Sequence, residues 1–245
     1  MVSMRKTLLL LMALWSTLPT AHASTPPDLS GTFHLRMRTA TDADVPVIGT
    51  TRVNTVSDML ATIERKGDAF VQTHITCFVN AIPTRGFART VLPPTFIKAL
   101  PVKTYTLALT QDDSGWRYDA DLQPQSVGYH MDQTGGPMPT KSDHPAIYDW
   151  DGDGKPGASV MVDIPLFGEF RIFMVQWSHA RLTGRIQSAD EVTGKAIMMG
   201  LNQRTIGADN VLFRTSPKIR PAPEPKNFEL TRVPAGSTCA DLKGR

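Results

Sequence analysis

The chain predicts an all-β fold, and three observations carry that prediction. Apolar residues alternate with polar ones at period two far more often than they recur at helical spacing. Turn-forming Gly, Asp, Asn and Ser clusters punctuate the apolar runs at strand-length intervals. The 245 residues, 41% hydrophobic and 20% charged, are enough for one core, and turn signals continue on both sides of every irregular segment. One β domain over 24–245 follows, preceded by a segment of a different kind.

That segment is 1–23. Arg5 and Lys6 are followed by the apolar run Leu8–Trp15, and Ala21-His22-Ala23 is a small-x-small cleavage pattern ahead of Ser24. Basic, apolar and cleavage regions in that order predict a signal peptide, and so a periplasmic or extracellular protein. A spanning helix needs about 20 apolar residues, and Ser16, Thr17, Pro19 and Thr20 interrupt this run. No later segment is long and apolar enough to predict a stable membrane span. Removing Arg5 and Lys6 from 26 cations leaves the rest nearly balanced by 23 carboxylates, scattered without stacking aromatics, so nucleic acid is not an expected partner.

Strands are read in order. Phe33, Leu35 and Met37 alternate with His34, Arg36 and Arg38. Met59–Ile63 and Ala69–Val71 flank Arg65-Lys66-Gly67-Asp68, a hairpin turn in which Gly67 takes positive φ at little cost. Tyr105, Leu107 and Leu109 face Trp116, Tyr118 and Ala120 across Asp112-Asp113-Ser114-Gly115, a second hairpin. Later strands carry Val160, Val162 and Ile164; Phe170, Ile172, Met174 and Gln176; Ile197–Leu201; and Phe228 with Leu230. Residues 85–101, with three prolines around Phe96-Ile97, predict one short helix or a covering loop; 133–146 is a Gly/Pro-rich connection; and 216–226, with four prolines, predicts an extended strap.

So many antiparallel strands must protect their edges, either in a closed barrel or in a two-sheet sandwich. Leu29-Ser30-Gly31-Thr32-Phe33, a first strand led by Gly plus an aromatic, resembles the start of lipocalin-like barrels. The resemblance implies a single antiparallel barrel whose interior or mouth takes a small apolar or amphipathic ligand. The sandwich is the alternative.

Cys77 and Cys239 are the only cysteines, and the mature chain retains both. An exporting compartment favours their pairing, which fastens a polar tail to the first third of the fold. Two unrelated buried thiols are the alternative.

Residues 148–157, YDWDGDGKPG, fit two templates of opposite chemistry. Gly152, Gly154 and Gly157 spell G-x-G-x-x-G, which cradles a pyrophosphate only between a strand and a helix. Here the exit Ala158–Val162 is β-like, and Asp151 and Asp153 stand where phosphate oxygens belong. Asp149, Asp151 and Asp153 spell D-x-D-x-D-G. Carboxylates at alternate positions converge on a hard cation, Gly154 permits the turn, and the Lys155 carbonyl supplies a further oxygen. This stretch resembles the EF-hand loop and the wider set of D-x-D-x-D-G calcium loops of extracellular proteins, which implies calcium as cofactor.

Departures from the EF-hand are specific. Its twelfth position, normally a bidentate Glu, is Val160; its eighth, Pro156, lacks an N–H; and no helices flank it. The missing ligand must come from elsewhere, with Asp163, Glu169, Asp190 and Glu191 as carboxylate candidates. The plain alternative is a polar turn, against which stands the mutual repulsion of three aspartates. No H-E-x-x-H, G-x-S-x-G or Walker loop is present, and the dispersed histidines offer only His130, Asp132 and His144 as a cluster. The expectation is an exported, non-catalytic β-protein with a structural calcium loop, the alternative being a hydrolase whose site is assembled from separated residues.

Overall fold

Gly67, at φ +64°, turns its hairpin tightly enough for Lys66 to pair with Ala69. In the computed structural model, which describes residues 25–45, 49–84, 89–131, 137–165, 168–223 and 226–243, that hairpin joins two of twelve strands. The strands are β1 (Gly31–Val45), β2 (Gly49–Lys66), β3 (Ala69–Pro83), β4 (Arg89–Val91), β5 (Lys103–Asp112), β6 (Gly115–Asp121), β7 (Gln125–Val127), β8 (Ala158–Ile164), β9 (Gly168–Ser188), β10 (Glu191–Ala208), β11 (Lys218–Pro221) and β12 (Asn227–Arg232). A short helix, α1 (Pro94–Ala99), follows β4, with Pro at its start where the missing N–H costs nothing. The expected leader 1–23 and residue Asp132 lie outside the described residues.

Eight strands, taken in chain order as β1, β2, β3, β5, β6, β9, β10 and β12, each pair antiparallel with the next, and β12 returns to pair with β1. The result is a closed, up-and-down, barrel-like ring. Closure removes the open edges that so many strands would otherwise expose. The remaining strands are attached outside the ring: β8 runs along β9, β4 along β8, β7 along β9 and β11 along β1. The expected Pro-rich strap is therefore in part a true strand, its residues 218–221 paired with Thr41–Asp44.

The inward face of the ring is filled. Phe33, Leu35, Tyr118, Leu182, Phe228 and Leu230 have no accessible surface, and burying an aliphatic or aromatic side chain this fully contributes about 1.5–3 kcal/mol. A chamber able to hold a ligand would leave accessible surface on its walls. Phe228 instead lies over Gly184 and Gly194, which face each other across β9 and β10; a Cβ on either would come within 2.9 Å of its ring. One end of the ring is sealed by Leu29, which is fully buried, and by Arg232, whose guanidinium sits 4.6 Å above the Phe33 ring and donates to the Ser30 and Ala189 carbonyls. Gly31 suits this end through its φ of +141°, which side chains rarely adopt, and a Cβ there would push the Arg232 guanidinium, 2.1 Å away, off its seat.

A buried chain of polar groups runs among the inward residues. Gln72, fully buried, accepts from the Tyr118 hydroxyl and donates to the Tyr105 hydroxyl, both at 2.8 Å; His74 Nδ1 lies 2.9 Å from the same Tyr105 oxygen. One donor order satisfies all four groups: Tyr118 to Gln72, Gln72 to Tyr105, Tyr105 to a His74 that carries its proton on Nε2. Burial pushes both tyrosines well above the ordinary phenol range, so the hydroxyls stay protonated as donors. Tyr118→Phe is expected to strand the Gln72 carbonyl oxygen and to cost about 1–3 kcal/mol in urea denaturation. A loss under about 0.5 kcal/mol would mean that oxygen has another partner.

Outward faces carry charge. Asp58 receives His34 and Arg36, Arg38 meets Glu229, and Asp119 and Asp112 receive Arg181 and Arg185. A membrane-embedded barrel needs an outward apolar band where these pairs stand. No described helix is long and apolar enough to cross a membrane.

Candidate metal centre

β8 and β9 supply the platform. The segment before β8 curls back on itself, with the Gly157 N–H on the Tyr148 carbonyl (2.9 Å) and the Trp150 N–H on the Gly157 carbonyl (3.0 Å). Gly152, Gly154 and Gly157 take φ of +71°, +79° and +80°, which explains the glycines without a phosphate. Gly157 is needed twice over, since a Cβ there would also lie 2.6 Å from the Met174 carbonyl oxygen. Trp150 packs edge-on against Phe96 of α1, their centroids 5.0 Å apart, within a small second core containing Ala158, Val160 and Met174. The aromatic side of the loop thus anchors α1, and the carboxylates are free to gather on the other side.

One oxygen from each of Asp149, Asp151 and Asp153 lies within 4.8 Å of the others, the only such group of three or more acidic, His or Cys side chains among the described residues. Asp149 accepts the N–H groups of Asp153 (3.0 Å) and Gly154 (2.9 Å), and Asp153 accepts that of Lys155 (3.0 Å). Arg171 on β9 brings one cation, 3.4 Å from Asp153 Oδ2, while its Nε is held 3.0 Å from Asp209. Lys155 lies in the curl with its ammonium over the Phe173 ring.

Asp151 is different in kind. It is 7% exposed, and only its Oδ2 has a partner, the Ser159 N–H at 3.2 Å. Its Oδ1 and the Ser159 hydroxyl oxygen are both buried with no hydrogen-bond partner, the only such side-chain atoms among the described residues. Burial, then the neighbouring charges of Asp153 and Asp149, push the Asp151 carboxyl above the usual range. A buried orphaned carboxylate oxygen costs free energy unless something cationic satisfies it. The group is therefore able to hold a metal ion.

The four candidate carboxylates for the missing ligand do not join it. Asp163 faces Glu169 toward the far end of the β8–β9 pair; Asp190 holds Arg232 at the β9–β10 turn, and Glu191 begins β10 beside it. His130 stacks on Tyr148 with centroids 4.2 Å apart, and His144 Nδ1 accepts the Ala146 N–H.

Two His–Asp contacts were invisible in the sequence because their partners are 24 and 58 residues apart. His34 meets Asp58 and His179 meets Asp121, each at 2.7 Å. Each carboxylate has a second donor, Arg36 on Asp58 and the Gln123 N–H on Asp121. Neither pair lines the two open clefts, of about 510 and 310 Å³, that flank β1–β2 and β10–β11.

Fold and site together define a closed, disulfide-tied β-protein with a three-aspartate loop beside its ring. No protein family, curated protein or solved structure matches the chain.

Proposed function

We propose that this is an exported, non-catalytic β-protein in which Asp149, Asp151 and Asp153, assisted by the Lys155 carbonyl, bind calcium and lock the loop that anchors α1. The observation that carries this reading is the buried Asp151 Oδ1 left without a partner beside two further carboxylates. All the donors are oxygens, as calcium prefers, and since no two ligands of one calcium stand more than about 4.6–5.2 Å apart, three oxygens within 4.8 Å of one another are close enough to share it. The Cys77–Cys239 bond and the lack of a membrane-spanning helix among the described residues are compatible with export, where calcium is abundant. With its inward positions filled, the ring favours a structural or interaction role over carriage of a small ligand.

The site is weak, with Kd of roughly 10⁻⁴ to 10⁻³ M, as for extracellular modules. At millimolar calcium, binding to the folded state alone raises stability by about 1–2 kcal/mol at the tighter end of that range. Asp151→Asn with Asp153→Asn is expected to abolish the calcium-dependent rise in melting temperature. Without calcium the double variant should melt no lower than wild type, because the buried charge is relieved. Magnesium substitutes poorly, since it dehydrates reluctantly and demands a tighter octahedron. Thermal melts of both proteins in chelator and in millimolar calcium decide the matter: four superimposed curves reduce the loop to a polar turn.

A further inference from the structure

We propose that the ligand missing from the calcium loop is the hydroxyl of Ser159, a neutral oxygen eleven positions into the loop, and not a further carboxylate. The inference rests on the calcium reading above and concerns how that site is completed.

Ser159 is 2% exposed, and its hydroxyl oxygen has no hydrogen-bond partner. A buried hydroxyl nearly always finds one, so two orphans on residues already in contact, this oxygen and Asp151 Oδ1, point to one partner that would serve both. The two residues are already joined, since the Ser159 N–H donates to Asp151 Oδ2 at 3.2 Å.

Strand alternation sends the hydroxyl to the correct side. Ser159 lies directly opposite Phe173 in the β8–β9 pair, and Arg171 shares the face of Phe173 two residues along β9. The loop folds onto this face: Arg171 reaches Asp153, and the Lys155 ammonium stands 5.8 Å from the centre of the Phe173 ring. The opposite face carries Ala158, Val160 and Met174 under Phe96. Val160, the twelfth residue, therefore points into the apolar core and cannot bring a ligand, whereas Ser159, one residue earlier, faces the carboxylates.

A hydroxyl in place of the bidentate EF-hand glutamate supplies one oxygen instead of two and removes a negative charge. Calcium accepts neutral oxygens readily, and fewer charged ligands weaken the site, in line with the millimolar affinity expected of an extracellular module.

Ser159→Ala separates a ligand from a structural serine because the two roles predict opposite signs. In chelator the variant should melt at or above the wild-type temperature, since an unpaired buried hydroxyl is removed. Its calcium Kd by titration calorimetry should rise about tenfold, the scale of one polar contact to a charged group. With terbium as the calcium probe, a water replacing the hydroxyl should speed the luminescence decay in H₂O relative to D₂O. Ser159→Thr keeps the oxygen and should retain wild-type hydration. If Ser159→Ala binds calcium as tightly as wild type with unchanged terbium hydration, the assignment of Ser159 is overturned and the calcium reading stands. If wild type itself binds no calcium, both fall together.

Discussion

Removing the Cys77–Cys239 bond is expected to cost about 5 kcal/mol of stability in the chain-entropy model. The bond spans 162 residues, so it withholds much freedom from the unfolded chain. It joins β3 to the C-terminal turn Cys239–Leu242, where Leu242, 1% exposed, packs with Val233, Leu60 and Phe78 outside the ring. Without the bond, that small cluster alone holds the last turn, and the tail frays. A Cys77→Ala, Cys239→Ala double variant avoids free thiols and should unfold at much lower urea concentration than the oxidised wild type. A shift worth less than about 1 kcal/mol would mean that the unfolded chain is compact enough to make the crosslink redundant.

Acid should weaken the ring through His74. Burial, with the Lys103 ammonium adding to it, holds the folded His74 down at about 4. On the strands packed against it, His74 faces the Tyr105 hydroxyl, Gln72 and Lys103 but no carboxylate among its described contacts. An unfolded histidine titrates near 6.5. Its folded pKa is depressed, so the unfolded chain binds more protons in this window. The stability contribution is present in full above about 6.5 and drains away as pH falls toward 4. The loss is on the order of 3 kcal/mol. Asp42, Asp44 and Asp112, each held low first by a hydrogen bond from an arginine, give up their contributions only at lower pH still. His74→Gln, unable to charge, should flatten the pH dependence between 6.5 and 4 in urea titrations across that range. Parallel profiles for the two proteins would assign the acid sensitivity to other groups.

Local order was legible because its causes are local. Alternation at Phe33, Leu35 and Met37 appears in β1, the Gly67 and Asp113-Ser114 turns appear between their strands, and the aspartates gather at their alternate positions in one curl. Each depends on residues a few positions apart, where side-chain direction follows backbone geometry. The cysteine pair was legible for a different reason, since two thiols allow one connectivity. Leu29 and Phe33 lie at the sealed end of the ring, but the Arg232 guanidinium that covers Phe33 comes from about 200 residues away and no local pattern showed it.

What only the tertiary structure decided is which inward positions matter and which buried oxygens near the aspartate loop lack a partner. Gln72 and His74 occupy the same face of β3 as Phe70, yet as letters they look like polar positions on a solvated face; only closure of β12 onto β1 sets the ring that buries them. Ring closure itself depends on pairings nearly 200 residues apart, such as Arg38 with Glu229, and a register slip of one residue would exchange the inner and outer faces. Ser159 carries no motif at all. The role proposed for it rests on pairing with Phe173 and on an oxygen left without a partner, and both are properties of packed neighbours rather than of sequence. The alternation of a single strand determines that one of two adjacent residues shares a face with Phe173 and Arg171; the pairing of two strands determines which.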